Sequence, residues 1–307
     1  MKNRILYLVS YLLWPGLVAG CLAVTAYGAA QGHMMLYFNI AYLCLIVSLY
    51  FLERAMPHEK TWMASDGQTI ANIAHTLTSK GTVQLLIIFG GVIGLAGMFE
   101  SGAMDRGIWP ASWPLSAQIA LGVVASEFAL YWSHRIAHEI PFLWRFHAVH
   151  HSVLKLWFVN TGRFHFIDSL KSIVLGMIPL VVLGAPMEIV QWQAAITAFI
   201  GMLTHCNVEM RFGPLSRVFN TPELHRWHHS RKLEEGNRNY GENVVIWDQI
   251  FGTYINPDRR PPDNIGIADF MPEKFTHQLL WPFLNERQKQ ALQAKFPKGM
   301  ALQRAAE

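Results

Sequence analysis

Fourteen histidines are spread through the 307-residue chain, and eight of them fall into three short strings. His134 and His138 stand in HRIAH, His147, His150 and His151 in HAVHH, and His225, His228 and His229 in HRWHH. On an α-helix, residues three and four apart share one face. Each string can therefore aim its imidazoles at one point, and three such helices make a cage for metal. Neutral imidazole is a nitrogen donor that suits iron, zinc, copper or nickel, so the donor type leaves the metal open. The number says more, because eight imidazoles exceed the four-coordinate demand of a single zinc. Two metal ions are the simpler account. A solitary histidine on an apolar face is ordinarily a satisfied core or surface residue; His33, His58, His75 and His277 lack such company and are read as surface or interfacial residues. His165 and His205 flank a long apolar stretch, where either is placed to complete a metal shell.

Histidines that bind metal usually donate their other ring N–H to a carboxylate or carbonyl, so acids are expected close behind them. Glu127 is the leading candidate: it lies inside an apolar run, where an ionisable residue is costly. It also stands seven residues before His134, on the same helical face. Asp168 and Asp248 are further candidates, and Glu209, Asn207 and Glu242 weaker ones. Asp248 would serve equally as a cap or turn residue.

The elements that carry these groups are read in a membrane solvent. The chain is 52% hydrophobic and 15% charged, against roughly 25% charged in soluble domains. Apolar runs at Ile5–Ala30, Met34–Leu52, Val83–Met98 and Ala117–Trp132 approach or exceed the roughly 20 residues that cross a bilayer. The first is too long for the core of a secretory signal and is expected to be retained as a helix. Lys and Arg are held on the cytoplasmic side during insertion. Placing Lys2 and Arg4 inside puts Arg54, Lys60, Lys80 and everything from His134 onward on that side. Residues 172–204 are apolar but interrupted by Gly176, Pro179, Gly184 and Pro186, which reads as a re-entrant hairpin turning near Gly184. Thr221 and Pro222 supply an N-cap and a first-turn proline ahead of His225, and Pro141 opens the helix of the second string. Glu273–Phe296 is expected to form an interfacial amphipathic helix with Leu279, Leu280, Trp281 and Phe283 toward the membrane. Cys21, Cys44 and Cys206 show no pairing pattern.

The order HxxxH, HxxHH, HxxHH, closed by Asn239-Tyr240-Gly241-Glu242-Asn243 and by Trp247-Asp248-Gln249-Ile250-Phe251-Gly252-Thr253-Tyr254, resembles the fatty acid hydroxylase/sterol desaturase superfamily over about residues 120–255. The resemblance implies a non-haem di-iron oxygenase of the membrane. By position its ligands fall on His134, His138, His147, His150, His151, His225, His228 and His229, and also on His165 and His205. One departure is Arg163-Phe164-His165-Phe166-Ile167-Asp168, where the family often has His-Pro and a glutamate; Asp168 is a shorter carboxylate. The fold expected is an all-α, polytopic bundle of about four spans plus the hairpin, with a cytosolic helical cap carrying the metal site. Residues 1–115 would form the N-terminal transmembrane region, 116–256 the catalytic domain and 257–307 a cytoplasmic tail.

The activity implied is O2-dependent oxidation of a C–H bond in a membrane lipid or sterol-like substrate, hydroxylation first, with desaturation or ether-lipid monooxygenation as the nearest alternatives. No nucleotide fingerprint, haem motif or fused redox domain is seen, so electrons would come from a separate ferredoxin or cytochrome with its reductase. The basic cytoplasmic face suits an acidic donor and anionic lipid alike. No feature points to nucleic acid. A zinc-binding membrane protein or metal transporter is the reading from another class, but it would place ionisable residues along several spans, and these spans are nearly free of charge. Short loops and the lack of a retrieval signal at the end of the sequence favour a bacterial inner membrane, with the metal site on its cytoplasmic side.

Overall fold

Two apolar runs become two long helices, α1 (Lys2–Ala30), which carries Pro15 within it, and α2 (Met34–Ala55), joined by a three-residue turn and packed side by side. The buried stripe of α2 is Ala41, Leu45, Leu49 and Glu53, a spacing of four that keeps one helical face inward and ends on a carboxylate. The computed structural model describes residues 2–81 and 107–296; among these the chain is helical, with isolated bridges and no strand. The span read at Val83–Met98 lies outside the described residues.

A short helix α3 (Thr69–Ala74) continues into a wider π turn over His75–Lys80. The long α4 (Leu115–Glu139) carries His134 and His138 at its end, and α5 (Pro141–His151) follows at once. The break between them is local chemistry: Pro141 disfavours helical geometry at the residue before it, and Ile140 is extended at φ −100°, ψ 113°. The expected hairpin is present as α6 (Phe166–Leu183) and α7 (Met187–Thr204). Gly184 turns it at φ +74°, and Ala185 N–H closes back on Leu180 O at 2.9 Å, the glycine-capped ending that L side chains resist.

Helices α1, α2, α4 and α6 are long and apolar enough to cross a membrane. The first arm of the hairpin therefore has a full crossing length, whereas α7 carries Glu188, Gln191 and Gln193. Exposed Leu8, Leu12, Met35, Leu43 and Phe51 on α1 and α2, and Ile178 and Val182 on α6, cover the outer faces of these helices. The interior face is a core of Trp14, Leu45, Leu49, Phe199, Ile200, Leu203 and Phe212, which ties α1 and α2 to α7.

Helix α8 (Pro222–His228) carries the third histidine string, and α9 (Leu233–Gly236) and α10 (Ile246–Ile250) are single turns beyond it. Thr221 does occupy the N-cap position of α8, but its hydroxyl meets Ser216 Oγ at 3.2 Å and caps no helical N–H. The tail differs from expectation. Glu273–Phe296 is not one helix: α11 (Phe275–Leu280) gives way to a 3-10 turn at Trp281–Phe283 and then α12 (Glu286–Lys295). Pro282 lacks the N–H that a continuous helix needs, and Asn285 starts afresh with a capping box to Gln288. Leu280 and Phe283 are exposed, but Trp281 packs inward beside Ala148, Val149 and Met271, and α12 buries no residue.

Candidate metal centre

The three strings converge, but only the first aims at a single point; the second and third divide. Side chains from different helices interleave into two sets: His134, His138, His147, His151 and His228 in one, and His150, His205, His225 and His229 in the other. Within each set the candidate ligand atoms lie within 4.8 Å of one another. Helix α5 explains the division. His147 and His151 are one turn apart and point to the first set, while His150, rotated from them, points to the second. In α8 the same offset sends His228 one way and His225 and His229 the other.

The outward nitrogens fix how the inward ones are presented. His134 Nδ1–H donates to Tyr240 O at 2.7 Å, His228 Nδ1–H to Arg238 O at 2.7 Å, His150 Nδ1–H to Arg163 O at 3.2 Å and His205 Nδ1–H to Gly201 O at 2.8 Å. His138 Nδ1 meets Asn237 Oδ1 at 3.1 Å and His147 Nδ1 meets Asp168 Oδ2 at 2.8 Å. A carbonyl or carboxylate oxygen only accepts, so each of these nitrogens carries the proton and leaves Nε2 as a bare donor facing inward.

Those inward atoms have the character of a metal cradle. Nε2 of His134, His138 and His228 is buried with no hydrogen-bond partner among the described residues. Elsewhere Nε2 faces Nε2: His147 and His151 at 3.1 Å, His205 and His225 at 3.0 Å, His225 and His229 at 3.1 Å, His150 and His229 at 3.2 Å. Buried lone pairs converging on each other are unfavourable unless a cation stands between them. Two nitrogens held at about 2.1 Å from one ion are about 3.0 Å apart at a right angle and about 3.4 Å apart at the tetrahedral angle, and the observed spacings run from the first toward the second. Burial pushes the proton affinity of His150, His151, His225 and His229 well below that of ordinary imidazole and that of His228 down to about 3. All five are neutral at physiological pH, as ligation requires. Aromatic rings close the surroundings: Phe164 stacks on His150 at 4.1 Å, and Trp144 lies 5.1 Å from His138.

Of the ten histidines assigned by position, nine come together and His165 does not. Its Nδ1 accepts from Ile167 N–H, capping α6, and its Nε2–H donates to Leu279 O at 3.2 Å. Asp168 braces His147 directly and pairs with Lys171 Nζ at 2.8 Å on its other oxygen. Glu127 and Asp248 work at one remove. Glu127 accepts from Glu242 N–H at 2.5 Å, Asn243 N–H at 2.9 Å and Asn243 Nδ2 at 2.8 Å. Asp248 accepts from Tyr240 N–H and Gly241 N–H, both at 2.8 Å. Together they hold the turn 240–243 whose Tyr240 carbonyl orients His134. Gly241 is required there, because a Cβ would lie 2.4 Å from Val244 O.

Glu209 pairs with His58 at 2.9 Å and stays outside both sets, and Asn207 holds the backbone of Glu59. His75 is not a surface residue: it is fully buried, bonded to Phe164 O at 3.0 Å and Gln278 Oε1 at 2.9 Å. His58 is also largely enclosed, and burial holds both His58 and His75 down near pKa 4. Two contributions escape a reading of the sequence. Backbone carbonyls of Gly201, Arg163, Arg238 and Tyr240 orient four histidines, and no side-chain motif marks a carbonyl. Glu53 accepts from Phe158 N–H at 2.9 Å and Asn207 N–H at 3.0 Å, bracing the chain two residues after His205. A lone acid in an apolar span was its signal, the same one that singles out Glu127.

An all-helical chain with four membrane-length helices and two enclosed histidine sets has the form of an integral membrane protein able to bind metal. A family model for fatty acid hydroxylases matches residues 119–253, the segment that carries all three strings. An ornithine lipid hydroxylase of Rhizobium tropici is 49% identical over 98% of this chain and 92% of its own length. The human alkylglycerol monooxygenase is 31% identical over 48% of this chain and 32% of its own, and a fatty acid hydroxylase of Lecanicillium is 28% identical over 49% and 45%. No solved structure matches. The chain belongs to the fatty acid hydroxylase/sterol desaturase superfamily.

Proposed function

We propose that this chain is a di-iron, O2-dependent hydroxylase of a membrane lipid, acting on an ornithine-containing or similar aminolipid. The observation that carries the reading is the pair of histidine sets with inward, unprotonated nitrogens. His134, His138, His147, His151 and His228 would hold one iron, and His150, His205, His225 and His229 the other. Bound iron supplies the one chemistry that side chains lack, activation of O2 to oxidise an unactivated C–H bond. The chain's own part is to orient the imidazoles: Asp168, Asn237 and the four carbonyls hold six of the nine, and Glu127 and Asp248 brace the turn whose carbonyl holds His134. Phe164 and Trp144 pack against the imidazoles and help keep water out. Residues 116–256 would form the catalytic unit, 1–115 the N-terminal transmembrane region and 257–307 a cytoplasmic tail.

The substrate class is supported by the whole-length similarity to the ornithine lipid hydroxylase; the alkylglycerol monooxygenase and fatty acid hydroxylase matches cover about half of this chain. A separate ferredoxin- or cytochrome-type donor with its reductase would deliver electrons at the cytoplasmic face of a bacterial inner membrane. Elemental mass spectrometry and Mössbauer spectroscopy of the detergent-purified protein, with His150→Ala beside wild type, test the metal. Coupled iron filling both sets in wild type and depleted in the variant is expected, with lipid products gaining one oxygen atom in cells supplied with O2. Zinc that persists under iron-replete expression would overturn the reading and favour a zinc-binding role.

A further inference from the structure

Arg163 is completely buried, and its guanidinium spends its donors on neutral acceptors. Nε donates to Val149 O at 3.0 Å and Nη2 to Ser152 Oγ at 3.1 Å, while Nη1 donates to Gln68 Oε1 at 3.0 Å and Asn72 Oδ1 at 2.9 Å. Its own carbonyl receives His150 Nδ1–H. Val149 and Ser152 bracket His150 and His151, so this one residue grips the end of α5 from both sides. The cation also sits at the negative end of the α5 dipole.

Among the described residues no carboxylate forms an ion pair with this guanidinium. Asp66 acts on it only through space and faces Lys155 Nζ at 3.9 Å. A buried charge normally acquires a counter-ion, because desolvating it alone is expensive. Here an amide stands where an acid would fit: Asn72 is fully buried, its Oδ1 faces the guanidinium, and its Nδ2 has no partner. Aspartate is nearly the same shape, would remove that stranded donor and would neutralise the arginine. The chain forgoes both gains.

We infer that Arg163 is a positioning residue whose deliberately unpaired charge also biases the metal pair toward its reduced, less positive state. The fork sets where α5 presents His150 and His151, and a full positive charge one residue contact from His150 opposes the gain of positive charge at the centre. The inference rests on the di-iron reading of the site. Two substitutions separate its parts. Asn72→Asp keeps every contact and cancels the charge. Arg163→Lys keeps the charge and loses the four-acceptor fork.

The experiment loads wild type and both variants with iron in detergent, measures metal content and chelator resistance, and titrates the reduction midpoint. Asn72→Asp should fold, melt no lower than wild type and load both irons. Its reduction equilibrium should move about tenfold toward the oxidised pair, 59 mV for a one-electron couple. Arg163→Lys should lose metal affinity roughly 10- to 100-fold. A midpoint unchanged in a fully loaded Asn72→Asp protein overturns the charge role. Wild-type chelator resistance in Arg163→Lys overturns the positioning role. Should Arg163→Lys fail to fold, Ser152→Ala, which removes one prong, replaces it, and unchanged affinity there overturns the role equally. Failure of wild type itself to take up an iron pair would instead refute the di-iron reading, which keeps the two failures distinct.

Discussion

Asp168→Asn should empty one metal set and spare the other. Asp168 gives one oxygen to His147 Nδ1–H and the other to Lys171 Nζ, each at 2.8 Å, and is 3% exposed. An amide has a single acceptor oxygen, so the variant must turn its NH2 toward one of these two donors. The charged lysine has the stronger claim on the oxygen, which leaves His147 facing a donor. The ring then turns or moves its proton to Nε2, and in either case the inward lone pair is lost. A hydrogen bond to a charged group contributes about 1.5–3 kcal/mol, which corresponds to roughly 10- to 150-fold in affinity. That loss falls on the five-histidine set alone, because the second set touches α5 only through His150. Elemental analysis after dialysis against a graded chelator should show metal falling to about half of wild type over the range where wild type stays loaded. Lipid oxidation should be lost with it. Full loading with wild-type chelator resistance would show that the carboxylate does not set the state of His147.

The interleaving makes a second prediction: His228→Asn should deplete the five-histidine set and His229→Asn the four-histidine set, so the double variant loses all metal. Equal and complete loss in both single variants would mean one shared site. Glu127→Gln replaces an acceptor with a donor facing the N–H groups of residues 242 and 243, and leaving such groups unpaired costs about 1–3 kcal/mol. Its melting temperature should fall and the His134 set should bind metal less tightly; an unchanged melt and metal content would contradict the bracing role. Acid lability tests His75, whose folded pKa is held near 4 by burial against about 6.5 in the unfolded chain. Between those values only the unfolded chain takes up the proton, so this contribution is present above pH 6.5 and lost as pH falls toward 4. It amounts to on the order of 3 kcal/mol. His75→Gln should flatten that part of the pH–stability curve of the detergent-solubilised protein, and an identical acid slope in both proteins would refute it.

The membrane setting, the helices and the histidine strings were legible in the residues because each is a local property. Apolar length, a proline at position 141, a glycine at 184 and the three- and four-residue spacing of the imidazoles act over a few residues, and the chain obeys them. The superfamily was legible for the same reason, its motifs being short and linear. The break in the tail is less legible, because Pro282 interrupts an apolar pattern that otherwise continues. The burial of His75 is not legible locally, because it is decided by what the rest of the chain lays over that residue.

What only the tertiary structure decided is which histidine belongs with which. Spacing says that His147, His150 and His151 share a helix, but the rotation of α5 against α4 and α8 assigns His150 to a different set from its neighbours. Folding likewise brought His205 in and left His165 at a helix cap, although the two stood alike in the sequence. The same holds for the acids: Asp168 reaches an imidazole, while Glu127 and Asp248 reach a turn that reaches one. A sequence states which donors a chain owns; the crossing of its helices determines where each nitrogen points, because a lone pair is directional and a composition is not.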